Sequence, residues 1–168
     1  MDEVKINRFT ARLSNKYLEL RLFPDMILRN HSKPVHTFDK TLERFADQMY
    51  AFMKAHRGIG LAAPQVGVLF RIITIHVEGV EKFLVNPEIL SSSPDSYSDQ
   101  EGCLSIPGKW FDVNRFYKVE VCARSPEGKK IHFEAEGLIA RILQHEIDHL
   151  NGILICDKEL EVYKGRNE

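Results

Sequence analysis

Hydrophobic positions recur at helical spacing in two segments of this chain. In residues 39–57, apolar side chains return every three or four positions, Asp39 is a good N-terminal cap, and Gly58 suits a helix end. Residues 137–150 contain no proline or internal glycine, and Asn151-Gly152 follows as a stop signal. Apolar side chains cover most of the second helix, which indicates burial. The core-facing stripe of the first helix is formed by Leu42, Phe45, Met49, Tyr50 and Met53.

Four further segments have the composition of β-strands. Residues 71–77 and 83–90 are predicted strands, and residues 91–96 are predicted to form a loop. Residues 118–124 and 130–136 are predicted to form a hairpin, because Ser125-Pro126-Glu127-Gly128 has proline and glycine where a type I turn favours them. A sheet together with a buried central helix indicates an α+β fold.

Composition limits the classes of function. The 168 residues fit one domain, residues 1–168, with a substantial core, and the hydrophobic content of 43% and charged content of 28% are normal for a soluble globule. The net charge of −1 gives no reason to expect nucleic acid, and no apolar run approaches the ~18 residues of a membrane span. Three cysteines without a secretory signal favour a reducing compartment, and we expect a cytoplasmic bacterial protein, with an organellar location as the less favoured alternative.

The second helix carries a candidate metal site in His145-Glu146-Ile147-Asp148-His149. Residues four apart lie on one face of a helix, so His145 and His149 can bind the same ion. Glu146 flanks that face and has the position of a general base that acts on an activated water. A buried histidine or glutamate must be paired or bound to metal, since an isolated charge is costly in a core. The sequence therefore predicts a metal-dependent hydrolytic site.

A catalytic site of this kind needs a third protein ligand. A later glutamate would have to come from the last nineteen residues, which leave little room for a second packed helix. The extended motif that ends in a third histidine has Ile155 at that position, and isoleucine cannot ligate. The best candidate is Cys103, which follows a glycine, and Cys156 is its rival because it lies close to the helix in sequence. Spacing alone favours Cys103 only slightly.

Three segments together resemble the signature motifs of the peptide deformylases, in that family's order and approximate spacing. These segments are Gly58-Ile59-Gly60-Leu61-Ala62-Ala63-Pro64-Gln65-Val66-Gly67, Glu101-Gly102-Cys103-Leu104-Ser105-Ile106-Pro107 and Gln144-His145-Glu146-Ile147-Asp148-His149-Leu150-Asn151-Gly152. The resemblance extends from about Phe23 to about Ile155. It implies small, mostly antiparallel sheets around the buried helix, and an enzyme that removes the formyl group from the N-terminal formylmethionine of new chains.

The same resemblance assigns roles to individual residues. It implies that Cys103, His145 and His149 bind the metal and that Glu146 is the general acid and base. It implies that the Gln65 side-chain amide and the Leu104 backbone N–H stabilise the oxyanion, and that Glu101 and Arg115 support the site as an ion pair. Ile59, Gly60 and Gly102 would hold the substrate backbone in an extended form. Leu138 and Ile142 would help to line a pocket for the methionine side chain.

Cofactor and partners follow from the resemblance as well. It implies one divalent ion per chain, Fe²⁺ in the cell, with Zn²⁺, Ni²⁺ or Co²⁺ as possible replacements, although softness and affinity alone favour zinc. The expected partners are N-formylmethionyl peptides, with a transient encounter with ribosome-bound nascent chains and no nucleic-acid specificity or membrane. Two interpretations compete with this one. The first is a metalloprotease of another class, and the second is a catalytically idle relative that only binds peptides.

The chain also departs from the family pattern. Residues 1 to about 19 have no clear counterpart and are expected to be an N-terminal extension whose role the sequence leaves open: an extra strand, a frayed extension or a processed leader. Trp110 stands where many relatives carry arginine or another residue, which leaves the local specificity open. The C-terminal tail from Asp157 is short and charged, and we expect it to lack the long terminal helix of some bacterial relatives.

Overall fold

The computed structural model describes residues 17–77 and 79–164, without the side chains of residues 160–164. Residues 1–16 of the expected N-terminal extension lie outside the described residues. The last part of that segment is described, and Leu18 packs against the hydrophobic core beneath the first helix.

The described chain forms three α-helices and two antiparallel sheets. The helices are α1 (Lys40–Ala55), α2 (Gly137–Leu150) and α3 (Ile155–Lys164), and short 3-10 helices span Met26–Arg29 and Ala63–Val66. The strands are β1 (Gly60–Ala62), β2 (Ile72–Val77), β3 (Val80–Ser92), β4 (Ser96–Cys103), β5 (Ile106–Phe116), β6 (Lys118–Arg124) and β7 (Lys130–Glu136). One sheet has the order β1-β2-β3-β6-β7, and β4 and β5 form the other. This architecture confirms the predicted α+β class.

Helix α2 packs on one face of the five-stranded sheet and α1 packs on the other. Ile73 and Ile75 of β2 share a core with Leu143 and Leu150 of α2. Ile72 of the same strand belongs to the core around α1. Because successive residues of a strand point to opposite faces, β2 contributes to both cores. Helix α2 is therefore central and buried, as its sequence predicts.

The ends of α1 follow from its capping residues. The Asp39 carboxylate accepts hydrogen bonds from the backbone N–H groups of Thr41 and Leu42 at 2.9 and 3.0 Å, a cap worth about 1 kcal/mol. At the other end, the left-handed residue is Arg57, with φ of 57°, and the Gly58 N–H donates to the Met53 carbonyl. The helix itself ends at Ala55, so the predicted end at Arg57 is two residues too late.

The β6–β7 hairpin agrees with its predicted bounds. The Gly128 N–H donates to the Ser125 carbonyl at 2.9 Å, and Gly128 has a φ of 85°, which a glycine adopts without strain. By contrast, β3 extends from Val80 to Ser92, so the predicted strand at 83–90 is too short. The predicted loop at 91–96 is wrong at both ends, because Ser91 and Ser92 belong to β3 and Ser96 begins β4.

The expectation of little room for another packed helix after α2 is also wrong. Helix α3 contributes Ile155 to a small core with Ile106 and Val113 of β5. Arg29 donates to both carboxylate oxygens of Asp157, which ties α3 to the N-terminal part of the chain. No helix in the described ranges is long and apolar enough to cross a membrane.

Candidate metal centre and active site

Three predicted ligands converge where α2 passes the end of β4. The Nε2 atoms of His145 and His149 lie 3.2 Å apart on one face of α2. Cys103 ends β4, and its Sγ lies 3.3 Å from Nε2 of His149. The three ligand atoms all lie within 4.8 Å of one another. Cys156 lies on α3 outside this group, with its Sγ 3.9 Å from a carboxylate oxygen of Asp157.

This donor set fits a single metal ion. An ion held tetrahedrally by imidazole nitrogens at ~2.1 Å and a thiolate at ~2.3 Å separates the ligand atoms by roughly 3.4–3.6 Å. Two of the three observed separations, 3.2 and 3.3 Å, are close to that value, and the third, between Cys103 and His145, is within 4.8 Å. Burial lowers the pKa of His149, and nearby His145 adds to the effect, so His149 stays in the neutral form that a ligand requires. Three protein ligands also leave a coordination position for water or substrate.

Glu101 fixes the orientation of His145. Its Oε2 lies 2.9 Å from His145 Nδ1, so the other ring nitrogen faces Cys103 and His149. Arg115 donates to both carboxylate oxygens, which confirms the expected ion pair. Arg141 adds a further bond to Oε1 at 2.8 Å. Burial alone would raise the pKa of Glu101, but the hydrogen bonds from His145 and Arg115 hold it well below its usual range.

Sequence reasoning missed two members of this polar network, Arg141 and Asp148, and a third buried polar residue of α2, Gln144. Arg141 is buried, and it also donates to the carbonyls of Val113 and Tyr97. Asp148 accepts a hydrogen bond from Nη1 of Arg115, while Nε and Nη2 of the same guanidinium donate to Glu101. Gln144 holds both the N–H and the carbonyl of Phe116 through its side-chain amide. A spacing signal was available, since Arg141 lies one helical turn before His145 in an otherwise apolar segment.

Glu146 is buried beside the metal ligands. The strand residue Gly60 approaches it so closely that a Cβ on Gly60 would lie 2.3 Å from Oε1. Burial raises the pKa of Glu146 to about 7, which is suitable for a group that takes up and gives back a proton near neutral pH.

The side-chain amide of Gln65 has a fixed orientation. Gln65 lies in the 3-10 helix after β1, and its Oε1 accepts from the Ala62 N–H at 2.8 Å. Its Nε2 donor consequently faces the site, 3.2 Å from Ser105 Oγ and 3.6 Å from Cys103 Sγ. Leu104 is in the turn that follows Cys103, next to the same ligand.

A cavity of about 500 Å³ unites the candidate residues. All of the predicted metal, catalytic and substrate-binding residues except His149 line it, and His149 is buried next to His145. Ile142 is buried in the cavity wall, whereas Ile59 and Leu138 are partly exposed. Trp110, whose role the sequence left open, lines the same cavity. The cavity therefore brings together an apolar cleft, the candidate metal ligands and the titratable carboxyl of Glu146.

Comparisons with known proteins agree with this geometry. A family profile described as Polypeptide deformylase matches residues 17–164. A peptide deformylase of Caldicellulosiruptor bescii is 49% identical over 140 residues, which are 83% of this chain and 84% of that protein. One from Thermotoga neapolitana is 42% identical over 139 residues, 83% of this chain and 85% of that protein. The crystal structure of peptide deformylase from Thermotoga maritima superposes with a TM-score of 0.83 at 38% identity, covering 86% of this chain and 98% of that one.

Proposed function

This chain belongs to the polypeptide deformylases, enzymes that remove the N-terminal formyl group, and we propose that Cys103, His145 and His149 hold the metal for that reaction. The observation that carries the proposal is the convergence of these three ligand atoms within 4.8 Å, with the buried Glu146 adjacent. The substrate is an N-formylmethionyl peptide, and the products are formate and a peptide with a free amino terminus.

The metal, when bound, lowers the pKa of a water molecule and polarises the formyl oxygen. Glu146 takes the proton from the water as the water oxygen forms a bond to the formyl carbon. The same carboxyl then gives that proton to the peptide nitrogen as the C–N bond breaks. A pKa near 7 suits both transfers, because the group exchanges protons readily at neutral pH.

Gln65 and Leu104 stabilise the negative charge that develops on the formyl oxygen. The Gln65 Nε2 donor is held in place by the bond between Oε1 and the Ala62 N–H, so it needs no reorganisation during the reaction. The Leu104 N–H is the second donor. Each such donor contributes on the order of 3 kcal/mol to catalysis.

The cleft holds the peptide in an extended form between two strands. Gly60 begins the edge strand β1 and Ile59 directly precedes it, and both line the cavity together with Gly102 of β4. Glycine at these positions lets a peptide backbone approach closely. Leu138 and Ile142 lie one turn apart on α2 and line the pocket for the methionine side chain.

The physiological setting is part of the proposal. The ion is Fe²⁺, selected by availability in the cell, and Zn²⁺, Ni²⁺ or Co²⁺ can replace it. The enzyme acts in the cytoplasm as a single domain, with residues 1 to about 19 as an extension, and it meets nascent chains transiently at the ribosome. The bacterial origin of the relatives supports the cytoplasmic location.

The test compares three peptides: one that begins with formylmethionine, the same sequence without the formyl group, and a formylated peptide in which another residue replaces the methionine. Formate and internal fragments are measured in each reaction. We expect formate from the formylmethionyl peptide and intact chains throughout. Internal cleavage without formate would favour a metalloprotease, and binding without any product would favour a catalytically idle relative.

A further inference from the structure

Trp110 covers one wall of the active-site cavity. It lies in β5 directly opposite Gly102 of β4, and a Cβ on Gly102 would meet the indole at 3.2 Å from Cζ3. The ring therefore occupies the space that a side chain at position 102 would fill. Both residues line the cavity that contains Glu146 and His145.

The indole is nevertheless largely exposed. Trp110 has 67% of its surface accessible, and Ile59 and Leu138, which line the same cavity, are 47% and 40% exposed. Single exposed apolar residues are ordinary, but several around one cleft mark a surface that a ligand covers. An indole that packs on glycine on one side can stack against a ligand on the other.

We propose that Trp110 is a specificity-determining residue that contacts the first two residues after formylmethionine and favours aromatic side chains there. This inference rests on the proposed function, in which the peptide backbone passes between Gly60 and Gly102. The methionine side chain enters the inner pocket near Ile142, so the residues that follow leave through the mouth of the cleft. Trp110 lies across Gly102 on that path.

Charge around the cleft favours an aromatic partner over a cationic one. An indole face attracts either an aromatic ring or a cation. Arg57 and Lys109 line the cavity and are exposed, so their positive charges oppose a lysine or arginine side chain on the substrate. The two glutamates of the lining, Glu101 and Glu146, are buried, and Glu101 is already paired with arginines. The preferred peptides therefore carry phenylalanine or tyrosine rather than lysine after methionine.

The kinetic test uses formyl-Met-Phe-Phe, formyl-Met-Lys-Lys, formyl-Met-Ala-Ala and formyl-Met amide as substrates. We expect Trp110→Ala to lower kcat/KM for the phenylalanine peptide about ten-fold, mainly through KM, and to lower it much less for formyl-Met amide. Trp110→Phe should retain most of the preference because it keeps a ring. Met26→Ala, which removes an exposed apolar side chain outside the cavity, is the control and should match wild type for all four substrates.

A direct contact test uses fluorescence, since Trp110 is the single tryptophan of the 168 residues. In the metal-loaded Glu146→Ala protein, which does not consume substrate, saturating formyl-Met-Phe-Phe should shift or quench the indole emission. Saturating formyl-Met amide should leave the emission unchanged.

Unchanged emission with both ligands, or an equal loss of kcat/KM for all four substrates in Trp110→Ala, would overturn the inference. The proposed function is judged separately by the wild-type protein. If that protein releases formate from formyl-Met amide but ignores the identity of the later residues, only the role of Trp110 fails. If it releases no formate from any substrate, the proposed function fails and the inference fails with it.

Discussion

The backbone of Gly60 leaves no room for a side chain beside the Glu146 carboxyl. A Cβ at position 60 would lie 2.3 Å from Oε1 of Glu146 and 2.9 Å from Cγ2 of Ile142. Gly60 is paired with Ile75 of β2, so its backbone cannot retreat without breaking the sheet edge. Strand β1 can therefore pack this closely against the Glu146 carboxyl of α2 only because position 60 has no Cβ.

We expect Gly60→Ala to bind metal normally and to lose most of its kcat. The added methyl group displaces the Glu146 carboxyl. The three proposed metal ligands are not among the atoms nearest to that methyl group, so metal binding should be retained. General acid–base catalysis contributes roughly 10²–10⁴-fold, and the loss should approach that of Glu146→Ala. Formate release and metal content per chain are measured on the same samples.

Gly58→Ala is the matched control for that substitution. A Cβ on Gly58 would meet the side chains of Leu104 and Met53 rather than Glu146. It should therefore reduce kcat much less than Gly60→Ala. An equal loss in the two variants would show that a general disturbance of the loop, and not the Glu146 contact, explains the effect.

Gln65 should act on kcat more than on KM. Its amide donor serves the anion that forms during the reaction better than it serves the neutral formamide, so Gln65→Ala should lower kcat roughly 10²–10³-fold with the metal retained. Gln65→Glu should be worse, because it places a carboxylate beside the Cys103 thiolate and the developing charge. Wild-type kcat and kcat/KM in both variants would refute the oxyanion role.

The choice between the two cysteines can be tested by metal analysis. Cys103→Ala removes the atom that lies 3.3 Å from His149 Nε2, and it should lower metal content sharply. Cys156→Ala changes a thiol on α3 outside the ligand group and should leave metal content unchanged. The assignment would have to be reversed if Cys156→Ala emptied the site while Cys103→Ala remained loaded.

Much of this site was predictable because its signals are local. The spacing of His145 and His149 needs only a helix, and the β6–β7 turn needs only proline and glycine at fixed positions. The choice of Cys103 over Cys156 depended on the family resemblance, since both cysteines were compatible with the spacing. In the structure β4 ends where α2 passes, which places Cys103 rather than Cys156 beside the two histidines.

The remaining features depend on contacts between distant parts of the chain. In the sequence, Arg141 looks like an ordinary cationic residue of a helix. Its burial is explained by its pairing with Glu101, which lies forty residues earlier in the chain. Strands β4 and β5 form a two-stranded sheet whose faces are mostly exposed, so they lack the apolar alternation that marks a strand. The extent of α3 depends likewise on its docking against β5, which the short charged tail does not indicate.

Metal identity should be visible in the response to air. A thiolate on ferrous iron is open to oxidation at both the metal and the sulfur, so the anaerobically prepared iron enzyme should be active and should decay in air. Nickel and cobalt should preserve activity with better endurance, and zinc should give a folded but slower enzyme. The comparison is kcat/KM for apo-protein reconstituted with each ion under argon. Zinc as fast as iron, together with iron activity that is indifferent to oxygen, would contradict the assignment of iron.

The most direct test of the central claim is formate release measured during titration of metal-free protein with Fe²⁺ under argon, with formyl-Met-Ala-Ala as substrate. The account predicts activity that rises in proportion to bound metal, saturates at one ion per chain and is abolished by a chelator. The Cys103→Ala protein should show little of that rise. Full formate release from the metal-free chain, or the same titration curve in Cys103→Ala, would contradict the claim that this group of ligands holds the catalytic ion.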